Sequence, residues 1–127
     1  MKIEVSIGEV FDKISILLIK LIKINDLEKT AHIKNELLAL FDVIDFNGLK
    51  NKKDFLDLIT INSALWDIED EIRVKERVKD FGEEFIELAR CVYITNDKRF
   101  EVKDKINNNN SSQLKEVKSY EQSQSDD

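Results

Sequence analysis

The stretch N-S-A-L-W-D-I-E-D-E-I-R, residues 62–73, decides how this chain is read. It holds the only tryptophan, Trp66, and the densest mixture of charged and apolar side chains. In an α-helix, positions three and four apart share a face. Phe55, Leu58, Ile59, Leu65, Trp66 and Ile72 fall on one such face. The same stripe passes over Asn62, Glu69 and Arg73, with Asp70 at its edge. Burying a polar group without a partner costs about 2–7 kcal/mol. Either these residues meet partners on another helix, or the stripe is wide and they lie at its wet margin.

Working outward, the helix that carries this stretch runs over about residues 52–79, with no stop signal inside it. Phe81 and Gly82 mark the next turn, and a fourth helix starts at Glu83 and Glu84, carboxylates that suit a helix N-terminus. Phe85, Leu88, Ala89, Val92 and Ile106 form its apolar stripe. Asn96, Arg99 and Lys103 interrupt that stripe, and Arg90, Tyr93 and Asp97 lie one step round. A tight turn between two helices makes an antiparallel hairpin. Counting outward from Phe81, Trp66 comes level with about Asn96, and Asn62 with about Arg99. Glu69 and Asp70 come level with Tyr93 and Arg90. The polar interruptions of the two helices therefore coincide, which predicts one shared polar network.

Upstream, Ser6-Ile7-Gly8-Glu9 reads as a capping box, with Glu9 reaching back to the Ser6 backbone. Helix one follows to about residue 25, with Val10, Ile14, Leu17, Leu21 and Ile24 at heptad spacing. Ile16 and Ile19 lie on the opposite side, so the helix is apolar nearly all round. It is either central in the bundle or paired with a second subunit. Asp26 is a good N-cap for a second helix over about residues 27–41, with Gly48 suited to a left-handed C-cap position. Residues 1–5 form a short extended lead-in. Beyond residue 107 the chain turns Asn-rich and polar, a composition that predicts a disordered tail in which Leu114, Val117 and Tyr120 alone have the means to dock back.

Composition agrees. The chain has 127 residues, 42% hydrophobic and 36% charged, with no proline and three glycines. That is one domain of long helices with a solvated surface. The formal charge is −6 and the cations are dispersed, a poor footprint for nucleic acid. The most apolar run, residues 14–24, is broken by Lys20 and Lys23 and falls short of a membrane span of about 20 residues. No targeting peptide is visible, so a cytoplasmic location is the default.

No complete catalytic motif is present. His32 is the only histidine and Cys91 the only cysteine, which leaves neither a disulfide nor a zinc set. His32 reads as a surface residue and Cys91 as a small buried hydrophobe. Glu83, Glu84 and Glu87 followed by Glu101 and Asp104 match the carboxylate spacing of all-helical nucleoside triphosphate pyrophosphohydrolases. On one continuous helix, however, Glu87 and Asp104 stand about 25 Å apart. Glu69 and Asp70 with Glu9 or Asp12 are better placed for magnesium, but neighbouring Arg73 and Arg90 argue for ion pairs instead. No metal or cofactor is expected.

Three blocks carry a resemblance: S-I-G-E-V-F-D-K-I-S-I-L at 6–17, L-W-D-I-E-D-E-I-R at 65–73, and A-R-C-V-Y-I-T-N-D-K-R at 89–99. Together, with K-S-Y at 118–120, they resemble an uncharacterised bacterial family known only as a domain of unknown function. A second such family has a similar L-W-x-x-E-D-x-x-R block. Members of both tend to be encoded near glycosyltransferases of lipopolysaccharide or surface-glycan assembly. The resemblance implies a cell-surface polysaccharide context but assigns no activity and no catalytic residue.

The expectation is an all-α protein: an antiparallel bundle of about four helices over residues 1–107, ending in a long helical hairpin, and a tail over 108–127. Its role is that of a binding or accessory module in surface-glycan biosynthesis. The candidate ligand site is Asn62, Trp66, Glu69, Asp70, Arg73, Arg90, Tyr93, Asn96, Asp97 and Arg99. Candidate partners are a sugar or sugar phosphate, a glycosyltransferase and a second copy of the chain. Two other classes stay open: a magnesium-dependent enzyme on a nucleotide or nucleotide-sugar, and a structural homo-oligomer without a ligand.

Overall fold

A computed structural model describes residues 1–112. The expected tail contacts of Leu114, Val117 and Tyr120, and the K-S-Y block, lie outside the described residues. Those residues form an all-helical bundle: α1 (Ile7–Lys23), α2 (Leu27–Phe41), α3 (Lys52–Arg77) and α4 (Glu83–Asn109).

The helix starts follow the local chemistry. Ser6 caps α1, its hydroxyl accepting from the Glu9 backbone N–H at 3.1 Å. The return half of the capping box is not made: the Glu9 carboxylate instead accepts from Lys103 Nζ of α4 at 2.8 Å. Asp26 caps α2 through the backbone N–H groups of Glu28 and Lys29. The left-handed backbone expected at Gly48 falls elsewhere, at Asn51 (φ 58°) before α3 and Lys79 (φ 56°) after it. The reason is length. α2 stops at Phe41, and the loop that follows turns just before α3, where a left-handed Asn is tolerated.

α1 is the organising element, because it alone packs against all three other helices, whereas α2 packs on α1 only. Its partners fix its direction. Phe11 meets Phe55, Asn62 meets Ser15 and Lys23 meets Asp67, so α1 runs parallel to α3. Gly8 meets Asn107 and Asp12 meets Arg99, so it runs antiparallel to α4. Its all-round apolarity is explained by this central place. Ile19 is buried and Ile16 half-buried within the chain. The apolar core gathers Phe11, Ile14, Leu17, Ile33, Leu37, Leu49, Phe55, Leu58, Val102 and Ile106. Each such side chain contributes about 1.5–3 kcal/mol by leaving water. Phe46, from the loop after α2, closes an aromatic triad with Phe11 and Phe55.

The Asn-rich stretch belongs to this bundle rather than to a tail beginning at residue 108. Asn107 is buried in α4 and accepts from the Gly8 backbone N–H at 2.6 Å. Asn109 donates to Asp54 Oδ2 at 3.0 Å, and Asn110 accepts from the Lys50 backbone N–H at 2.7 Å. Ser112 accepts from the Ile7 backbone N–H at 3.1 Å. A run of short amides reads as disorder by composition, yet side-chain amides are well suited to satisfying the exposed backbone groups of neighbouring helix starts.

Candidate functional site

The polar residues buried between α1, α3 and α4 form a connected network. Its centre is Asp12, 1% exposed. The Asp12 carboxylate accepts Arg99 Nε at 2.9 Å and Arg99 Nη2 at 2.5 Å, a two-point contact. It also accepts Asn62 Nδ2 at 2.9 Å, and Asn62 Nδ2 reaches Ser15 Oγ at 2.7 Å. Ser15 donates to the Asp12 backbone carbonyl at 2.7 Å. Lys103 Nζ lies 4.0 Å from Asp12 and bonds Glu9. Among the described residues, no buried side-chain nitrogen or oxygen lacks a hydrogen-bond partner. Buried Asp12 thus meets Arg99, and buried Lys103 meets the half-exposed Glu9, which offsets the desolvation of the two buried charges.

Helix spacing makes this possible. Gly8, Asp12, Ser15 and Ile19 succeed one another at four, three and four residues, and all four are buried. They form a second stripe on α1, turned toward α3 and α4. Gly8 sets the distance of approach: a Cβ there would stand 2.5 Å from the Lys103 carbonyl oxygen. Only glycine lets α1 and α4 come this close at their crossing.

Above the network lies an open cleft of about 290 Å³, lined by Ile16, Ile19 and Lys20 of α1, Asn62, Leu65, Trp66 and Glu69 of α3, and Asn96 and Arg99 of α4. Ile16, Lys20 and Arg99 also border a second cleft of about 280 Å³, which extends to Lys13 and Glu36. The first cleft differs from its floor in one respect. Lys20, Trp66 and Glu69 make no hydrogen bond or ion pair among the described residues. Lys20 and Trp66 are half-buried and Glu69 is exposed, so all three are hydrated from the cleft.

The ten residues singled out by sequence separate into three groups. Asn62 and Arg99 belong to the buried floor, and Asn96 joins them by accepting Arg99 Nη1 at 3.4 Å. Trp66 lines the cleft with Asn96, as the hairpin register predicts, and Glu69 lines it without the Tyr93 and Arg90 that the register set level with it. The remaining five line neither cleft. Arg73 pairs with Asp70 at 3.7 Å and Arg90 with Glu87 at 3.1 Å, both within one helix and on the surface. Tyr93 is exposed and Asp97 is buried in α4. The arginines therefore do not converge on Glu69, because three-residue partners on their own helices reach them first. Sequence reading missed Ser15, Lys20, Ile16 and Ile19 as site residues and had Asp12 only as a metal ligand. The 4-3-4 stripe of Gly8, Asp12, Ser15 and Ile19 was the available signal.

Among the described residues, no group of three or more His, Cys, Asp or Glu side chains comes together to hold a metal. Asp12 faces cations instead. The carboxylates Glu83, Glu84, Glu87, Glu101 and Asp104 all lie on the single helix α4. No helix of the described residues is long and apolar enough to cross a membrane. The chain matches no protein-family model, no curated protein and no solved structure.

Proposed function

We propose that this chain is a cytoplasmic binding or accessory module that takes a sugar or sugar phosphate, in the service of glycosyltransferases of cell-surface polysaccharide assembly. One observation carries the reading. Among the described residues, Lys20, Glu69 and Trp66 border a cleft without partners, directly above a floor in which every buried side-chain polar atom is satisfied.

Each wall suits a different part of such a ligand. The Trp66 indole offers an apolar face to a sugar ring while its N–H stays available as a donor. The Glu69 carboxylate accepts hydroxyl protons. Lys20, with the guanidinium edge of Arg99 beside it, takes a phosphate or carboxylate as a point charge. Asp12 holds the Arg99 plane fixed, so this edge is oriented before a ligand arrives. The volume of about 290 Å³ is at the small end of ligand sites, the scale of one monosaccharide phosphate. The shared border at Lys20 and Arg99 gives a longer ligand room to continue. The glycan context is supported by the sequence blocks alone.

The test uses the single tryptophan as reporter. Wild type is titrated with hexose phosphates, the matching free hexoses and inorganic phosphate, following Trp66 fluorescence and the melting temperature. A ligand at about 100 times its Kd stabilises by about 2.7 kcal/mol, an easily read shift. Lys20→Ala is expected to abolish the preference for the phosphorylated sugar. A flat response to every sugar phosphate at millimolar concentration, or binding indifferent to Lys20→Ala and Glu69→Ala, removes the proposal.

A further inference from the structure

α1 ends at Lys23, whose ammonium meets Asp67 of α3 at 3.5 Å. α3 continues ten residues further, to Arg77, a length of about 15 Å. Over that length α3 and α4 form a two-helix arm, and two helices leave their outer faces uncovered. Val74 is 47% exposed and Val78 67% exposed on the outside of α3. Glu71 lies three residues before Val74 and Arg77 three after, so all four share one side of the helix.

The charge along α3 reverses from the base of the arm to its tip. Asp67, Glu69, Asp70 and Glu71 stand at the base of the arm, and Arg73, Lys75, Arg77 and Lys79 toward its tip, with Glu76 among them. Arg73 and Lys75 are neutralised within the chain, by Asp70 and by Asp80 with Glu84. Glu71 and Arg77 are exposed and make no ion pair among the described residues.

We propose that this outer face of α3 is a contact with a second copy of the chain, the two arms lying antiparallel about a two-fold axis through Val74. A two-fold contact is self-complementary: if residue i meets residue j, then j meets i. About Val74, that rule sets Glu71 against the partner's Arg77 and Arg77 against the partner's Glu71. The two Val74 side chains meet on the axis, flanked by Val78. A parallel pairing would set Glu71 on Glu71 and Arg77 on Arg77, which like-charge repulsion disfavours. The apolar patch is small, so the dimer is concentration-dependent and belongs to the weak end of specific interfaces.

Sedimentation equilibrium of the full chain over a concentration series tests this. Wild type is expected to associate to a dimer. Glu71→Arg alone and Arg77→Glu alone each place like charges together twice and are expected to raise the dissociation constant about tenfold or more. The double variant Glu71→Arg/Arg77→Glu restores both pairs with signs exchanged and is expected to recover the dimer. In a Cys91→Ser background, Val74→Cys is expected to form an intermolecular disulfide. Val78→Cys is not, because its two copies stand about 12 Å apart along the helices, beyond disulfide reach. Circular dichroism checks that each variant stays folded, as exposed substitutions should. A wild-type chain that stays monomeric overturns the proposal, as does a dimer unmoved by either single reversal or a double variant that fails to recover.

Discussion

Asp12→Ala is the sharpest probe of the polar interior. The substitution removes a carboxylate that accepts three hydrogen bonds, two from Arg99 and one from Asn62. It removes the carboxylate that Arg99 binds at two points, and the Arg99 side chain is 28% exposed. Breaking a buried ion pair from one side costs about 3–5 kcal/mol. The remaining exposure of Arg99 toward the cleft allows partial hydration, which places the expected loss near about 3 kcal/mol. Asn62 keeps Ser15 and adds little. Urea unfolding followed by Trp66 fluorescence and circular dichroism reads this directly. With a slope of about 1.5 kcal/mol per molar, the midpoint falls by about 2 M. The double variant Asp12→Ala/Arg99→Met removes both charges and keeps an apolar stem in place. It is expected to be more stable than Asp12→Ala alone, because the Arg99 charge no longer sits beside an absent carboxylate, while Lys103 keeps Glu9. A cost below about 1 kcal/mol for Asp12→Ala, or a double variant weaker than the single by the full cost of each, would refute the closed network. Arg99 would then be a hydrated cleft residue paired only incidentally.

Glu69→Ala is expected to change stability by no more than about 0.5 kcal/mol, since Glu69 is exposed and makes no ion pair among the described residues, while abolishing the thermal shift expected with the proposed sugar-phosphate ligand. Gly8→Ala is expected to destabilise by about 1–3 kcal/mol despite alanine's better helix propensity, because the new methyl meets the Lys103 carbonyl at 2.5 Å. A neutral or stabilised variant in urea unfolding would show that the α1–α4 crossing opens freely. At the hairpin turn, hydrogen bonds to Glu84 and then Asp80 raise the Lys75 pKa above its ordinary 10.5. The Gly82 backbone N–H, and then Lys75, lower the Asp80 pKa below its ordinary 3.8. The Asp80 contribution is present above pH 3.8 and is lost as pH falls through its depressed value. The Lys75 contribution is present below pH 10.5 and is lost as pH rises through its elevated value. Amide exchange at the turn, corrected for intrinsic rates, should therefore show constant protection between these limits and loss outside them, and Asp80→Asn should remove the acid limb.

The primary sequence alone determined the helices. Four apolar periodicities, Ser6 and Asp26 as caps, and the absence of proline specify α1 to α4 to within a few residues, because those signals are local. The register of the α3–α4 hairpin was also legible, since a short turn fixes which residues come level. Trp66 and Asn96, and Asn62 and Arg99, border one cleft as that register requires. What tertiary structure decided was the choice of partner. Asp12 and Ser15 lie on the side of α1 that meets α3 and α4, and the periodicity of α1 by itself does not say which element each side meets. Arg73 and Arg90 had carboxylates within reach on their own helices as well as across the hairpin, and spacing cannot rank two partners at similar distance. The asparagines at 107–110 read as a tail because their composition is polar. Only the arrival of α1 at Gly8 and of α3 at Asp54 supplies the groups that bind them. A polar side chain carries its donors and acceptors in its identity, but which ones it satisfies depends on what long-range packing brings within about 3 Å.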